Sequence, residues 1–423
     1  MKKDVLVTGI GQTNYLFQLY GSIGPKLNGF NFHSINLRKF GDSDIKNRAK
    51  EIFKENYQYK FRFFNIFQIL GALLTIINTK YFWKDQRISF AEIGWEHIKQ
   101  GYYLTKKHIN AYQYAKFIDK ETKTDIIHLH YPSHGHNLFL IYLTKDYKLI
   151  QTFWGSDIYR IKNWMIHEIQ KETLNNSDII TTATPEMKFA ILNRYGFGLS
   201  EKIRNAKFLH NDTYYKLVDK YSINFEWQKE FKKSLNLPEN KIILLFGNNA
   251  HKENNHLKFI AVLEKLPAEI VSSFHIIFPL TYGNPKKDYI NLIKEKTTKI
   301  DTSFTFLEEF MDWEVLAKLK LISEVYIHAP TTDALSGYLT EYFYANNLAI
   351  VGGWLPYKTF TKMGLKYLEF DDFGMLKDIL MDLPNHILIF NNHKGINRNV
   401  VSKNFSTEKI SNEWVDIFKE LEN

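Results

Sequence analysis

Two α/β domains, each a parallel sheet covered by helices on both faces, are predicted by three features of this 423-residue sequence. The length exceeds one ordinary hydrophobic core, so two domains of about 200 residues are expected. Apolar runs of strand length alternate with longer, helix-capable stretches, which is how buried parallel strands and their crossover helices read in a sequence. The runs also fall into two series, separated by the polar stretch from Asn211 to Lys241 that includes LNLPENK, and each series implies a Rossmann-like domain.

In chain order the first series is DVLVT from Asp4, FHSINL from Phe32, DIIHLH from Asp125, KLIQTF from Lys148, DIITT from Asp178 and AKFLH from Ala206. The second is KIILLF from Lys241, FHIIFP from Phe274, FTFL from Phe304, EVYIH from Glu324, LAIV from Leu348 and KYLEF from Lys366. The last segment, STEKISNEWVDIFKELEN, reads as a helix with its N-cap near Ser406 and Trp414 on its apolar face. The expected divisions are 1–215, 216–400 and a C-terminal helix in 401–423 that can cross back to the first domain. No strong repeat or low-complexity block interrupts this pattern.

Composition narrows the class. Apolar residues at 44% and charged residues at 24% suit a globular chain rather than a disordered one. Cysteine is absent, which excludes a disulfide framework, a thiolate metal site and a cysteine nucleophile. The opening MKKDVLVTGIG enters a strand at once, without the apolar core of a signal peptide, so a cytoplasmic location is expected. The formal net charge of +9 admits nucleic acid or an anionic membrane as partner. The basic residues are spread along the chain, which argues against nucleic acid.

One segment stands apart, YQYKFRFFNIFQILGALLTIINTKYFWK from Tyr57 to Lys84. Its apolar middle is too short and too interrupted to span a bilayer. Lys60, Arg62, Lys80 and Lys84 flank it, with Phe61, Tyr81, Phe82 and Trp83 nearby, the pattern of a helix lying in a membrane interface. A buried helix in an oversized first domain is the competing reading.

Ligands of open parallel sheets bind beyond the carboxyl ends of the strands, so the residues after each strand are the candidates. The first strand runs into a glycine turn, with Gly11 and Gln12 opening toward the acceptor side; its match to a dinucleotide fingerprint fails at Asn14. DIIHLH ends at His130 and is followed by His134 and His136. Without an HExxH spacing or an evident acidic partner, these read as surface or substrate-contacting histidines rather than zinc ligands. After KLIQTF come Trp154, Gly155 and Asp157. The glycine lets the loop approach a ligand, and Asp157 either acts on a proton or a sugar hydroxyl or caps the following helix.

In the second half, KIILLF ends in Gly247, Asn248 and a polar loop through Lys252 that enters a helix at about His256. Its backbone amides can cradle phosphates, with Lys252 as a point charge. FHIIFP continues to Tyr282, placed to stack on a base or to pack its loop. EVYIHAP leads into TDALSGYLTEYFYANNLAI, in which Ser336, Gly337 and Tyr338 open a helix that Asn346 and Asn347 close. A helix N-terminus after a strand is an anion site, and Asp333 and Glu341 supply carboxylates beside it. A solvated Glu341 on an ordinary strand–helix unit is the alternative.

DIIHLH, TFWGSD, NSDIITTATPE and the stretch from Asp333 to Glu341, in this order, resemble the GT-B glycosyltransferases, with two Rossmann-like domains facing across a cleft. Members of that large family carry a THGxD-like loop and two glutamates eight positions apart. The resemblance implies that Glu341 binds the nucleotide ribose and that Asp333 lies by the transferred sugar. Trp154 replaces the loop histidine and Asp333 replaces the first glutamate. FWGSDIY, FGNNAHKENNH, FPLTYGNPKKDYI and ALSGYLTEYFYANNLAIVGG resemble the lipid-linked 4-acetamido-4,6-dideoxygalactose transferases, the 4-alpha-L-fucosyltransferase-like proteins. That resemblance implies a thymidine- or uridine-diphosphate sugar donor, a polyprenyl-diphosphate-linked or oligosaccharide acceptor in bacterial surface-polysaccharide synthesis, and a place on the inner face of the cell membrane.

The expected site therefore has Asp157 and Asp333 as catalytic residues. Gly247, Asn248, Lys252, Tyr282, Ser336, Gly337, Tyr338 and Glu341 bind the donor. Gly11, Gln12, His130, Trp154 and Gly155 lie on the acceptor side. No metal, cofactor or nucleic acid is expected. A nucleotide-sugar 2-epimerase of the same fold and a nonenzymatic sugar-binding scaffold are the alternatives.

Overall fold

The computed structural model describes residues 2–9, 14–35, 51–61, 66–93, 97–161, 164–209, 212–281 and 286–422. Gly11, Gln12, Arg62 and Tyr282, expected as site or membrane residues, lie outside them. The chain divides into two compact units, one of Met1–Leu209 with Glu408–Asn423 and the other of His210–Thr407. The division falls a few residues before the expected boundary at 215.

The first unit holds a seven-stranded, all-parallel sheet in the order β3-β2-β1-β4-β5-β6-β7. The strands are β1 (Lys3–Thr8), β2 (Phe30–Ile35), β3 (Glu55–Tyr57), β4 (Ile126–His130), β5 (Lys148–Thr152), β6 (Ile179–Thr182) and β7 (Ile203–Asn205). β4 is buried at every position, as a central strand covered on both faces must be. Two edges depart from the expectation. The short strand at Glu55–Tyr57 lacks an apolar run to announce it. The last strand is Ile203–Asn205, and Ala206–Leu209, the more apolar residues that follow, are not strand.

The second unit holds a six-stranded, all-parallel sheet in the order β10-β9-β8-β11-β12-β13. Its strands are β8 (Ile242–Phe246), β9 (Phe274–Pro279), β10 (Ser303–Leu307), β11 (Val325–His328), β12 (Leu348–Gly352) and β13 (Leu368–Phe370). Its core gathers Phe246, Phe259, Phe278, Ile327 and Ile350, all fully buried.

Strand order reverses between β1 and β4 in one sheet and between β8 and β11 in the other. At such a reversal the following loops part to opposite faces and leave a crevice beyond the carboxyl ends. The candidate residues of each unit lie after these strands.

The described residues of the segment from Tyr57 to Lys84 include one helix and the start of a second. Helix Ile66–Ile77 sends Ala72 and Ile76 wholly into the first unit's core, with Ile69 and Leu73 against it. Its other face exposes Leu70 (52%) and Leu74 (65%), with Ile77 also exposed, so the helix is apolar on both sides. The next helix, Lys80–Ile93, exposes Trp83 and points Phe82 inward. Lys60 and Lys80 are exposed, Lys80 lying 4.0 Å from Glu172, whereas Lys84 is ion-paired to Glu168 and is less free than its position suggests. No helix among the described residues is long and apolar enough to cross a membrane.

Candidate functional site

In the first unit the backbone draws together where the strand order reverses. Gly9, just after β1, has φ +105°, and a Cβ there would lie 1.9 Å from the carbonyl oxygen of His130 at the end of β4. Only glycine fits so near another backbone. His130 itself is not the surface histidine expected. It is wholly buried, and its Nε2 lies 2.8 Å from the Tyr20 hydroxyl, which is also 2.7 Å from His128 Nδ1. The phenol has one proton, so it donates to one imidazole and accepts from the other. The two rings stack at 4.1 Å, and His128 continues to the Thr152 hydroxyl at 2.7 Å. Burial holds both neutral, His130 down to about 3 and His128 well below the usual range.

Asp157 is also differently placed. It lies within the short helix Ser156–Tyr159, whose N-cap is Gly155, so Asp157 is not the cap. Its carboxylate turns back to accept the Trp154 amide (3.0 and 3.1 Å to its two oxygens) and the Gly155 amide (2.7 Å). It is fully buried, and burial pushes it up to about 7 against these amides, which favour the charged form. Trp154 is packed among Tyr15, Phe208 and His130. His130 Nδ1 and Trp154 Nε1 are buried without a hydrogen-bond partner among the described residues. His136 bonds Ser133 and the Tyr131 carbonyl, and no cluster of metal-ligating side chains forms among the described residues.

In the second unit, two loops flank the reversal. After β8, Gly247 takes φ +68°, and a Cβ would press on His256 Nε2 at 3.2 Å. His256 is fully buried and held neutral by burial, at about 3, with that nitrogen unpartnered. Asn248 lies half-buried beside it. The loop is braced by Asn249, whose Oδ1 accepts the His251 amide and the Asn254 side-chain amide at 2.9 and 2.7 Å. Asn255 in turn donates to the Ala329 carbonyl at 2.7 Å, tying this loop to the one after β11. Lys252 is exposed, on the first residue of a 3-10 turn before helix His256–Leu263.

After β11, Ser336 caps helix Gly337–Ala345, its hydroxyl accepting the Leu339 amide at 3.2 Å. The first amides of a helix have no intrahelical acceptor, so those of Gly337 and Tyr338 remain for a ligand. Asn346 ends the helix in the left-handed conformation, as expected. Asp333 is partly exposed. It accepts from the Tyr357 hydroxyl (2.8 Å), His328 Nε2 (3.1 Å) and the Ala334 amide (2.7 Å). Burial works to raise its carboxyl, and His328, Tyr357 and the amide outweigh it, holding Asp333 below the usual carboxylate range. Its carboxylate is thus held by three donors.

Glu341 is not solvated. Its side chain is 12% exposed and ion-paired to Lys320, a wholly buried lysine on helix Trp313–Ile322. Sequence reasoning missed Lys320 and His328. The signal for His328 was its place at the end of an apolar strand; Lys320 sits in WEVLAKLKLI among lysines that look like any solvated face.

Residues 48–184 match the family model described as Glycosyl transferase 4-like. No curated protein matches the sequence. Among solved structures, a glycosyltransferase from Rickettsia africae aligns with a TM-score of 0.67 at 16% identity, over 99% of this chain and 98% of the other. Anabaena HepE, solved with UDP and glucose, aligns at 0.60 and 10% identity, over 99% and 100%. A UDP-forming α,α-trehalose-phosphate synthase from Burkholderia vietnamiensis aligns at 0.64 and 12% identity, again over 99% and 100%. At these identities the likeness is one of fold. Residues 48–184 thus resemble the glycosyl transferase 4-like proteins, and the chain has the two-unit α/β fold of the GT-B glycosyltransferases.

Proposed function

We propose that this glycosyltransferase moves a sugar from a uridine- or thymidine-diphosphate sugar to a polyprenyl-diphosphate-linked glycan in surface-polysaccharide assembly, at the inner face of the cell membrane. One observation carries the donor half. The two backbone segments able to hold phosphates, Gly247–Asn248 and Ser336–Tyr338, follow the two strands at the reversal of the second sheet, with Asp333 and Glu341 beside the latter. A nucleoside diphosphate leaving an anomeric carbon gathers negative charge on its phosphates, and fixed amides stabilise it without reorganising. Lys252 adds a mobile positive charge, and Tyr282 is assigned to the base. Glu341 holds the ribose, and the ionised Asp333 lies by the transferred sugar. HepE, solved with UDP and UDP-glucose, favours uridine among the two bases.

The acceptor side is assigned to the first unit, with Gly11, Gln12, His130, Trp154 and Gly155. Asp157, buried and turned onto the loop amides, is assigned to holding the Trp154–Gly155 loop rather than to proton transfer. The exposed Leu70, Leu74 and Trp83, with Lys60 and Lys80, support an interfacial contact with anionic lipid that would bring a lipid-linked acceptor to the enzyme. The test is titration calorimetry with UDP, TDP and NAD. UDP or TDP is expected to bind and NAD not to; NAD bound tightly with neither diphosphate bound overturns the reading.

A further inference from the structure

Lys320 is the buried group whose presence most needs a reason. Taking an ammonium wholly out of water carries a desolvation penalty that pairing repays only with good geometry, and an apolar side chain of its size is often as stable or more so. Yet its surroundings are arranged around the charge. Its Nζ pairs with Glu341, lies 3.6 Å from the centroid of Tyr338 and 4.9 Å from that of Tyr214, and reaches the Tyr338 carbonyl at 3.3 Å. Tyr338 stands one turn before Glu341 on the same helix. The Tyr214 hydroxyl donates to the backbone carbonyl of Glu341 at 3.1 Å, and Asn347 donates to the carbonyls of Lys320 and Leu321 at 2.9 and 3.2 Å. The lysine, the glutamate and both helix backbones are thereby locked together.

Glu341 uses one oxygen in this pair. Lys320 is bonded to Oε2, and Oε1 has no partner among the described residues. A carboxylate anchored through one oxygen, with the other left for a ligand, is a preorganised acceptor, and an ionised acceptor makes the stronger hydrogen bond. Burial lowers Lys320 below the ordinary lysine range, with Glu341 working in the opposite direction.

We propose that Lys320 is a positioning residue of the donor site: it holds Glu341 so that Oε1 faces the sugar hydroxyls of the nucleoside, and it thereby sets the preference for a hydroxylated ribose. This rests on the reading of Glu341 as the ribose residue, and the experiment separates the two. Calorimetry compares UDP with 2′,3′-dideoxyuridine diphosphate in the wild type, Glu341→Gln, Lys320→Met, Lys320→Arg and the Lys320→Met/Glu341→Gln pair. The wild type is expected to prefer UDP by about tenfold or more, the worth of a charged hydrogen bond. Glu341→Gln and Lys320→Met should each lose most of that ratio, Lys320→Arg should restore part of it, and the double variant should lose no more than either single change. A ratio is insensitive to how much of a sample is folded, so a purely structural lysine would leave it unmoved. If Lys320→Met does not fold, the arginine variant and the double variant still report. A full ratio in Lys320→Met overturns the positioning role and leaves the Glu341 reading standing, whereas a full ratio in the double variant overturns both. A wild type that binds both nucleotides alike, or a Glu341→Gln variant that keeps the preference, overturns that reading and the proposal with it.

Discussion

Glu341 and Asp157 show how far residue identity carries and where it stops. Both were legible as acidic residues in the segments that follow strands. The partner of Glu341 was not, because a contact between two helices leaves no local pattern, and Asp157 turns back onto amides that any residue could supply. Glu341 faces a buried lysine, so Glu341→Gln strips a charge from a pair that shields Lys320. Breaking a buried pair from one side costs about 3 kcal/mol or somewhat more, which for a unit of this size is a fall of roughly 6–12 °C in melting temperature. Weaker donor binding should therefore come with lower stability, and a thermal melt in the absence of ligand checks it: an unshifted melt would mean the pair contributes nothing. Asp157 makes a prediction of opposite character. Burial lifts its carboxyl to about 7 from an unfolded value near 3.8, so the folded state binds the proton more tightly. Its contribution to stability is complete below pH 3.8 and is lost as pH rises through 7, a change on the order of 4 kcal/mol. Asparagine cannot titrate. Between pH 5 and 8 the wild type should lose melting temperature relative to Asp157→Asn, with turnover of the variant reduced less than about tenfold. A difference between the two melts that stays constant with pH would refute the protonation, and a hundredfold loss of turnover would return Asp157 to the chemistry.

Among the elements, the apolar strands were the most legible, since a fully buried parallel strand has few alternatives. Edges such as Glu55–Tyr57 were not, because one neighbour and partial exposure relax the demand for apolar residues. Helix Ile66–Ile77 was legible as apolar but not as two-faced, since periodicity cannot tell a core stripe from an outward one when both are apolar. Its outward leucines make the membrane prediction specific. Leu70→Ser with Leu74→Ser should abolish sedimentation with anionic liposomes while shifting the melt little, because both side chains are more than half exposed. With Lys84 engaged by Glu168, neutralising the lysines should weaken binding less than removing the leucines does. Undiminished sedimentation of the leucine variant would exclude this helix as the contact.

At the level of the whole molecule, the two Rossmann-like sheets could be read from the two series of strands, and the final helix from its apolar face. Helix Thr407–Lys419 packs into the first unit, where Trp414 is wholly buried, donates to the Lys207 carbonyl at 2.9 Å and lies against His128, while Phe418 meets Phe30 and Phe32. Trp414→Ala should cost about 3–5 kcal/mol. In calorimetry the transition of the first unit should fall while that of the second stays, and a shift confined to the second would contradict the packing. Glu413 and Glu420 add ion pairs to Lys207 and Arg204. The first unit is thus closed by residues 408–423, whereas the second is one continuous span, 210–407. A ribosome releases the chain from its N-terminus, and domains tend to fold as they emerge. The second unit can finish while synthesis continues, but the first must wait for residues 408–423, with the surface beneath Trp414 and Phe418 bare meanwhile. For this protein the half that is translated first is the half that matures last, and a stalled or prematurely terminated chain would present that unfinished apolar face to chaperones and proteases.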